Sequence, residues 1–512
     1  MIALRGFQPD TIAMLRQAVA KLRALGRRMA VLLVSPTGSG KTVMFAYLTS
    51  NLVAAGKRVV LLAHREELLA QISATLRLFD VVHGLIGSGA IYNRGFLAHV
   101  AGVMSLVRRL DAVDVPDYVI VDEAHHGAEG SSWHQCIQYW RSRNPALVVI
   151  GVTATPERLD GAGLGATFEE IVIGPDTAAH IDAGWLSPFR LFGPPEPIDM
   201  TGLRRRYGEV DKAEVEARVD KPKITGNVIA HYQRYCDHQP IVPFCVSIKH
   251  AEHVAEEFAA AGYKAATIDG RMDKKTRRER VRDFGTGRLE VLTSCDLISE
   301  GFDVPGIVAV ANLRYTESLA LALQQWGRAL RPIYAAGDMT TPEGRRACIA
   351  AGSKPHAFIF DHVGLTAKHG FPDDERQWSL SERPRSKREK DPDDVAVKQC
   401  RACAAWNRGN ALVCCECREP FGTTTARTIE VVDGELVEKT PEQRLRTRQM
   451  EVAMARDLPD AAEAYKALVE LGKARGYPHP LQWARHQLDV RKRAEITRTG
   501  GVTSGLLFEG AT

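Results

Sequence analysis

The sequence predicts an α/β protein: two parallel-sheet domains, then a small metal-binding module and a mostly helical tail. Three observations lead there. Aliphatic or β-branched runs alternate with amphipathic helical stretches, the pattern of parallel strands joined by crossover helices. The alternation stops once, between Pro188 and Lys223, and then resumes. At 512 residues with 45% hydrophobic content, the chain exceeds what one ordinary core absorbs.

Taken in order, Val31–Val34 followed by Lys41–Ala55, and Arg58–Leu62 followed by Glu66–Phe79, set the rhythm of a first domain over residues 1–190. Residues 191–223 contain Gly193-Pro194-Pro195-Glu196-Pro197 and mixed charge, and read as a linker. Strand-like runs at Ile241–Val246, Ala265–Ile268, Glu290–Thr293 and Ile307–Ala311 define a second domain over 224–365. Residues 366–398 are rich in Lys, Arg, Asp, Glu, Pro and Ser, the composition of a solvated linker. A cysteine module follows at 399–420. The tail, 421–512, opens with strand-like Thr428–Val432 and Leu436–Val437 around Asp433-Gly434 and continues in helical patterns at 441–457, 459–475 and 481–494.

Composition excludes several classes. The longest apolar runs, such as Ala30–Val34 and Ala146–Val152, are far too short to span a bilayer, so no membrane helix is expected. The N-terminus lacks the apolar run and cleavage site of a signal peptide, and a cytoplasmic protein is expected. Lys and Arg number 67 against 62 for Asp and Glu, a net charge of +5, which permits nucleic-acid binding without indicating it. Of ten cysteines, Cys136, Cys236, Cys245, Cys295 and Cys348 are scattered, while five crowd between 400 and 417. Crowding of that kind reads as metal binding rather than as a disulfide framework.

Ser35-Pro36-Thr37-Gly38-Ser39-Gly40-Lys41-Thr42 follows a buried strand and opens a helix, the context of a phosphate-binding loop. The main-chain N–H groups of Thr37, Gly38, Ser39 and Gly40 can converge on phosphate oxygens of ATP. Lys41 adds a charge at the β- and γ-phosphates, and the Thr42 hydroxyl suits Mg2+. Ser35 stands where such loops usually have their first glycine. Asp122-Glu123-Ala124-His125 follows the apolar run Tyr118-Val119-Ile120-Val121, which puts Asp122 at a strand end. Asp122 can then hold Mg2+ through water while Glu123 orients and deprotonates the attacking water.

Cys400-x2-Cys403 and, after ten residues, Cys414-x2-Cys417 have the paired spacing of a four-thiolate Zn2+ ribbon. Cys415 is a surplus thiol, and the choice among Cys414, Cys415 and Cys417 as ligands stays open. Arg401, Trp406, Arg408 and Arg418 suit either stacking on a nucleic-acid strand or covering the ribbon.

These phosphate-site residues resemble helicase superfamily 2, of the DEAD/DEAH-box type, in the family's motif order over roughly the first 365 residues. The resemblance implies two RecA-like P-loop domains. It places Arg5 and Gln8 in an adenine-reading motif. Ala63 to Leu68 and Thr153-Ala154-Thr155 match two further motifs of the first domain. Thr293 to Pro305, with Gly301 and Asp303 at the ATP site, and Gln324 to Arg331 match motifs of the second. By the same resemblance His125, Thr153, Thr155 and Gln324 couple hydrolysis to movement, while Arg328 and Arg331 reach the ATP of the first domain as transition-state cations when the domains close. Arg65, Ser105, Ser247 and Thr293 become candidates for phosphate contacts with a strand. The basic run Lys274 to Arg282 reads as a solvated helix face.

A helicase core followed by a cysteine ribbon is similar to the RadD group of bacterial repair ATPases and to prophage relatives, and the core is also similar to type III restriction Res subunits. DNA, single-stranded or branched, is the implied partner, with repair or replication proteins beside it. No Glu-x-Lys pattern occurs in the chain, against a fused restriction nuclease. An RNA helicase or remodeller, a restriction translocase subunit, and a binding scaffold with a vestigial ATPase remain alternatives.

Overall fold

Five consecutive buried aliphatic positions make Ala30–Val34 (β1) a strand covered on both faces. Val31 and Leu33 enter one core, and Ala30, Leu32 and Val34 enter the core on the opposite face. Two-sided burial is why the strand reads as an unbroken apolar run rather than an alternating one. In this computed structural model, residues 4–381 are described apart from 88–89, 91, 158–160, 162, 194–204, 207–208, 211–213, 215–221 and 296–305. Beyond 381, the described residues are 397–399, 406–408, 437–438, 461–474, 481, 484–485 and 488.

In the first domain β1 joins β2 (Val59–Ala63), β3 (His83–Ile86), β4 (Ala98–Gly102), β5 (Tyr118–Asp122), β6 (Val148–Thr153) and β7 (Glu170–Ile173) in the order β3-β4-β2-β5-β6-β1-β7. All neighbours run parallel. The carboxyl ends of β1, β5 and β6 therefore share one edge, where sites form in such sheets.

The second sheet contains β8 (Phe189–Gly193), β11 (Ile241–Phe244), β12 (Ala265–Ile268), β13 (Val291–Ser294), β14 (Ala309–Asn312) and β15 (Ala357–Asp361), all parallel. A two-residue antiparallel pair, β9 (Arg205–Arg206) and β10 (Glu209–Val210), lies apart from it. Strand β18 (Val437–Glu438), from the tail, closes the edge antiparallel to β8. The strand order is β12-β13-β11-β14-β15-β8-β18. Two sequence boundaries shift as a result. Phe189–Gly193, split between first domain and linker in the sequence reading, is a strand of the second sheet, and the helix Pro222–Cys236 begins inside the expected linker.

The expectation of a solvated linker over 366–398 is corrected for residues 371–380. Phe371 packs on the second core, whereas Trp378 and Leu380 pack on the first. The Leu380 carbonyl accepts hydrogen bonds from Leu164 N and Gly165 N, both 3.0 Å. This strap returns the chain from the second domain to the first. The basic helix Lys274–Gly285, expected to be solvated, also meets the first domain: Arg277 Nη1 lies 2.7 Å from Glu67 Oε1, and Lys274 pairs with Glu66. Of the expected tail helices, Ala461–Ala474 is present, and 441–457 lies outside the described residues. Cys136, Cys236, Cys245, Cys295 and Cys348 are all buried and stand outside any disulfide.

Candidate active site

The phosphate loop grows directly out of β1. Ser35 N donates to Thr153 O at 3.0 Å, extending the β1–β6 pairing by one residue. Gly38 and Gly40 adopt φ of +86° and +83°, which L side chains rarely take, so the loop can turn its amides inward before the helix Lys41–Ala54 starts. Ser35 replaces the usual first glycine without conflict, because its buried hydroxyl lies 2.8 Å from Ser39 Oγ and braces the loop. Lys41 Nζ donates to Ser35 O (3.1 Å) and Pro36 O (3.3 Å). Burial lowers the Lys41 pKa, Glu123 and Asp122 pull it up, and Arg328 and Arg331 push it down. Two carboxylates and two arginines thus face one lysine.

Asp122 closes β5 and is 6% exposed. Glu123 follows in the left-handed region (φ 49°, ψ 50°), a conformation that costs a non-glycine residue about 1–3 kcal/mol and is held here by its surroundings. Its Oε2 is buried, accepts no hydrogen bond, and lies 3.4 Å from His125 Nδ1. An acceptor left open in this way suits a water that must be oriented. His125 Nδ1 is 3.1 Å from Thr153 Oγ1. The Thr153 hydroxyl donates to Thr155 O (2.7 Å) and accepts from Thr155 N (3.1 Å), so the histidine must bring the proton to its own contact with that oxygen. The coupling candidates His125, Thr153 and Thr155 therefore form one connected chain from Glu123.

Gln8 is buried, and its amide nitrogen donates to Ser39 O (3.3 Å) and Gly40 O (3.4 Å), while its Oε1 accepts from Arg5 N (2.8 Å). Arg5 Nη1 adds a 3.3 Å bond to Gly38 O. Both adenine-motif residues thus brace the phosphate loop itself. Thr37 and Thr42 lie at the two ends of the same loop.

From the second domain, the helix Leu319–Ala329 brings Gln324, Gln325, Trp326, Gly327 and Arg328, all buried. Sequence reasoning missed what positions it. Asn312, at the end of β14, donates through Nδ2 to Gln325 Oε1 (2.7 Å) and accepts at Oδ1 from Trp326 Nε1 (2.8 Å). A polar residue ending an apolar strand was the available signal. A Cβ added to Gly38 would lie 3.7 Å from Arg331 Cγ, so Arg331 sits on the loop. Burial lowers the Arg331 pKa, and nearby Arg5 lowers it further. Loop residues Pro36 and Thr37, helix residues Leu323 and Gly327, and strap residues Pro372 and Trp378 line one cavity of about 610 Å3 between the domains.

The strand-contact candidates are not gathered equally. Arg65 precedes the helix Glu66–Leu78, its Nε 3.3 Å from His64 Nε2. Ser105 lies half-buried in the short helix Val103–Leu106. Ser247 caps the helix Ile248–Ala260 by accepting His250 N at 3.0 Å. Thr293 is a correction: it is fully buried, and its hydroxyl is bonded to Ala251 O and Thr267 Oγ1, both at 2.8 Å, inside the domain. Facing the core, it is not placed to touch a strand. Gly301, Asp303, Cys400, Cys403, Cys414 and Cys417 lie outside the described residues.

Residues 1–158 match the family described as type III restriction enzyme, res subunit, and 225–332 match the helicase conserved C-terminal domain. A 51.5 kDa protein of Lactococcus phage (isolate 7-9) is 30% identical over 387 residues, covering 76% of this chain and 77% of that protein. The chain belongs to the superfamily 2 helicases. The IRC3 protein of Saccharomyces cerevisiae is 26% identical over 71% of this chain, and the chain spans 52% of that relative's length. The fold resembles a solved fragment of an HsdR subunit of a type I restriction enzyme from Vibrio vulnificus YJ016, with TM-score 0.54, 20% identity, and coverage of 73% of this chain and 67% of that one. As a superfamily 2 helicase the chain is an ATP-hydrolysing enzyme. Among the described residues no helix is long and apolar enough to cross a membrane. No cluster of three His, Cys, Asp or Glu among them is placed to hold a metal ion.

Proposed function

We propose that this superfamily 2 helicase is an ATP- and Mg2+-dependent motor that moves on or remodels DNA, single-stranded or branched, in repair or in phage and prophage DNA metabolism. The observation that carries the reading is the seating of Gly327 and Arg331 against the phosphate loop, which makes a complete ATP site depend on both domains. Lys41 binds the β- and γ-phosphates, and Glu123, through its open Oε2, orients the attacking water and takes its proton. Arg328 and Arg331 balance the charge that develops on the phosphoryl group, and Gly301 and Asp303 complete the second domain's side of the site.

The Thr42 hydroxyl and the Asp122 carboxylate are hard oxygen donors of the kind Mg2+ takes, and Lys41 feels Asp122 directly, so they would hold the ion beside the phosphates. Bound there, Mg2+ would neutralise phosphate charge. Loss of the γ-phosphate releases the second domain, and the chain Glu123, His125, Thr153 and Thr155 transmits that change along β6, with Gln324 answering from the facing helix. Arg65, Ser105 and Ser247 hold strand phosphates. Support for DNA comes from the restriction-enzyme family that the first domain matches, and support for phage metabolism from the Lactococcus phage relative. Support for a Zn2+ ribbon comes from cysteine spacing and from the antiparallel pair β16 (Val397–Gln399) and β17 (Trp406–Arg408), whose connection contains Cys400 and Cys403.

The test is the ATPase rate with single-stranded, duplex and forked DNA and with RNA. Stimulation by DNA well above that by RNA is expected. Stimulation by RNA alone would replace the reading with an RNA remodeller, and a rate indifferent to all four would leave the motor reading without support.

A further inference from the structure

One buried charge has no place in the mechanism above. Lys354 lies in the loop between the helix Pro342–Ala350 and β15 and is 1% exposed. Its ammonium donates to three main-chain carbonyls: Ile307 O at 2.6 Å, Arg331 O at 2.6 Å, and Ala329 O. One of these acceptors, Ala329 O, is the last carbonyl of the helix that carries Arg328, where the final carbonyls have no partner within the helix, and Arg331 O lies two residues past that end. The third comes just before β14, whose Asn312 holds the same helix from its inner face.

Water or a glycine turn ends most helices, and a lysine in the core is a costly substitute. Burial first and the charge of Arg331 second lower its pKa from 10.5 to about 7. What the lysine supplies that water does not is a fixed, three-point tie between sheet, helix end and the main chain of Arg331. Side chains that must meet a transition state within a fraction of an ångström need that kind of support.

We propose that Lys354 is a positioning residue for hydrolysis: by binding the carbonyls of Ala329 and Arg331 it fixes the main chain from which Arg331 reaches the phosphate loop. The inference rests on the transition-state role assigned to Arg331. Because the tie acts on geometry at closure, it affects turnover more than nucleotide affinity.

The test combines Lys354→Met, which keeps chain length and removes the charge, with Arg331→Ala and the double variant. Steady-state ATPase and affinity for a fluorescent non-hydrolysable ATP analogue are measured on the full chain, and thermal unfolding checks folding. Lys354→Met is expected to lower kcat by roughly ten-fold or more, with analogue affinity within about two-fold. The double variant should be no slower than Arg331→Ala alone, since a residue acting through Arg331 has nothing left to position. If Lys354→Met fails to fold, Lys354→Gln, which keeps two donors, replaces it in the same cycle. An unchanged kcat, or losses that multiply in the double variant, would overturn the proposal while leaving Arg331 in place. Wild-type kcat in Arg331→Ala would instead overturn the arginine assignment itself, and the Lys354 role with it.

Discussion

A Cβ atom placed on Gly327 would sit 2.7 Å from the Cβ of Thr37, so the helix bearing Arg328 meets the phosphate loop at a distance that only glycine allows. Gly327→Ala must therefore push the helix back. Because a displacement of about 1 Å at a reacting centre lowers rates by up to about a hundred-fold, kcat for ATP should fall between about ten- and a hundred-fold. Affinity for a non-hydrolysable analogue should change little. Turnover at the wild-type rate would mean that the closed contact is not the hydrolysing state.

Glu123→Gln keeps the shape of the side chain and removes its basicity. Hydrolysis should drop by about 10²- to 10⁴-fold with ATP still bound, whereas Lys41→Ala should lose hydrolysis and weaken binding together. Rapid-quench hydrolysis and nucleotide binding, measured on both variants, separate the two roles. Near-normal hydrolysis in Glu123→Gln would reassign the base.

The parts of this site that the sequence displayed are local ones. The phosphate loop and the Asp122-Glu123 strand end are each a strand and its following turn, so residue type and spacing are enough. Asn312 and Lys354 are single polar residues whose partners lie at other points of the chain; the apolar strand before Asn312 marks it only as a polar strand end, and nothing in its neighbours marks Lys354. The Glu67–Arg277 pair joins residues 210 positions apart. Residues 371–380 read as solvated because their charges outnumber the anchors Phe371, Trp378 and Leu380, and it is the anchors that decide the path. Thr293 shows the opposite failure: its motif placed it correctly on β13, but strand position does not say which face a side chain takes.

The ion pairs Glu67–Arg277 and Glu66–Lys274 join the two domains outside the ATP site. Half-exposed pairs of this kind contribute about 0.2–1 kcal/mol each, enough to bias an open–closed equilibrium by a few-fold without fixing it. Glu67→Lys should open the molecule, read as a larger radius of gyration in small-angle scattering without nucleotide. Combining it with Arg277→Glu should restore the wild-type value. An unchanged radius in the single variant would show that the strap and the arginine helix hold the domains without help.

Purified under reducing, chelator-free conditions, the protein should carry one zinc per chain. Replacing Cys400 and Cys403 with Ser should remove the metal and leave basal ATPase within about two-fold, because a small metal module folds with its own ion and the two cores stand on separate hydrophobic clusters. Metal analysis decides first. Absence of zinc would refute the ribbon, and zinc lost together with basal ATPase would make the module part of the motor core.

Two histidines predict how the protein fails in acid. His180 is 1% exposed, packed edge-on to Phe7 with ring centroids 4.4 Å apart, and its pKa is lowered to about 4 by burial first and then by the charge of Arg5, with Asp176 pulling the other way and Lys41 adding a further lowering. His362 is lowered to about 3 by burial and by neighbouring His231. Each folded value lies below the ordinary 6.5, so between pH 6.5 and 4 the unfolded chain binds more protons than the folded one, and stability must fall as pH falls. The contribution is fully present above 6.5, and at pH 5 each histidine has given up about 2 kcal/mol of it. Tm should thus drop between pH 7 and pH 5. His180→Gln, which cannot be protonated, should lower Tm at pH 7 through poorer packing and yet shrink the difference between the two pH values. A pH 7 to pH 5 difference as large in His180→Gln as in the wild type would place the acid sensitivity elsewhere, with His362→Gln as the next substitution to measure.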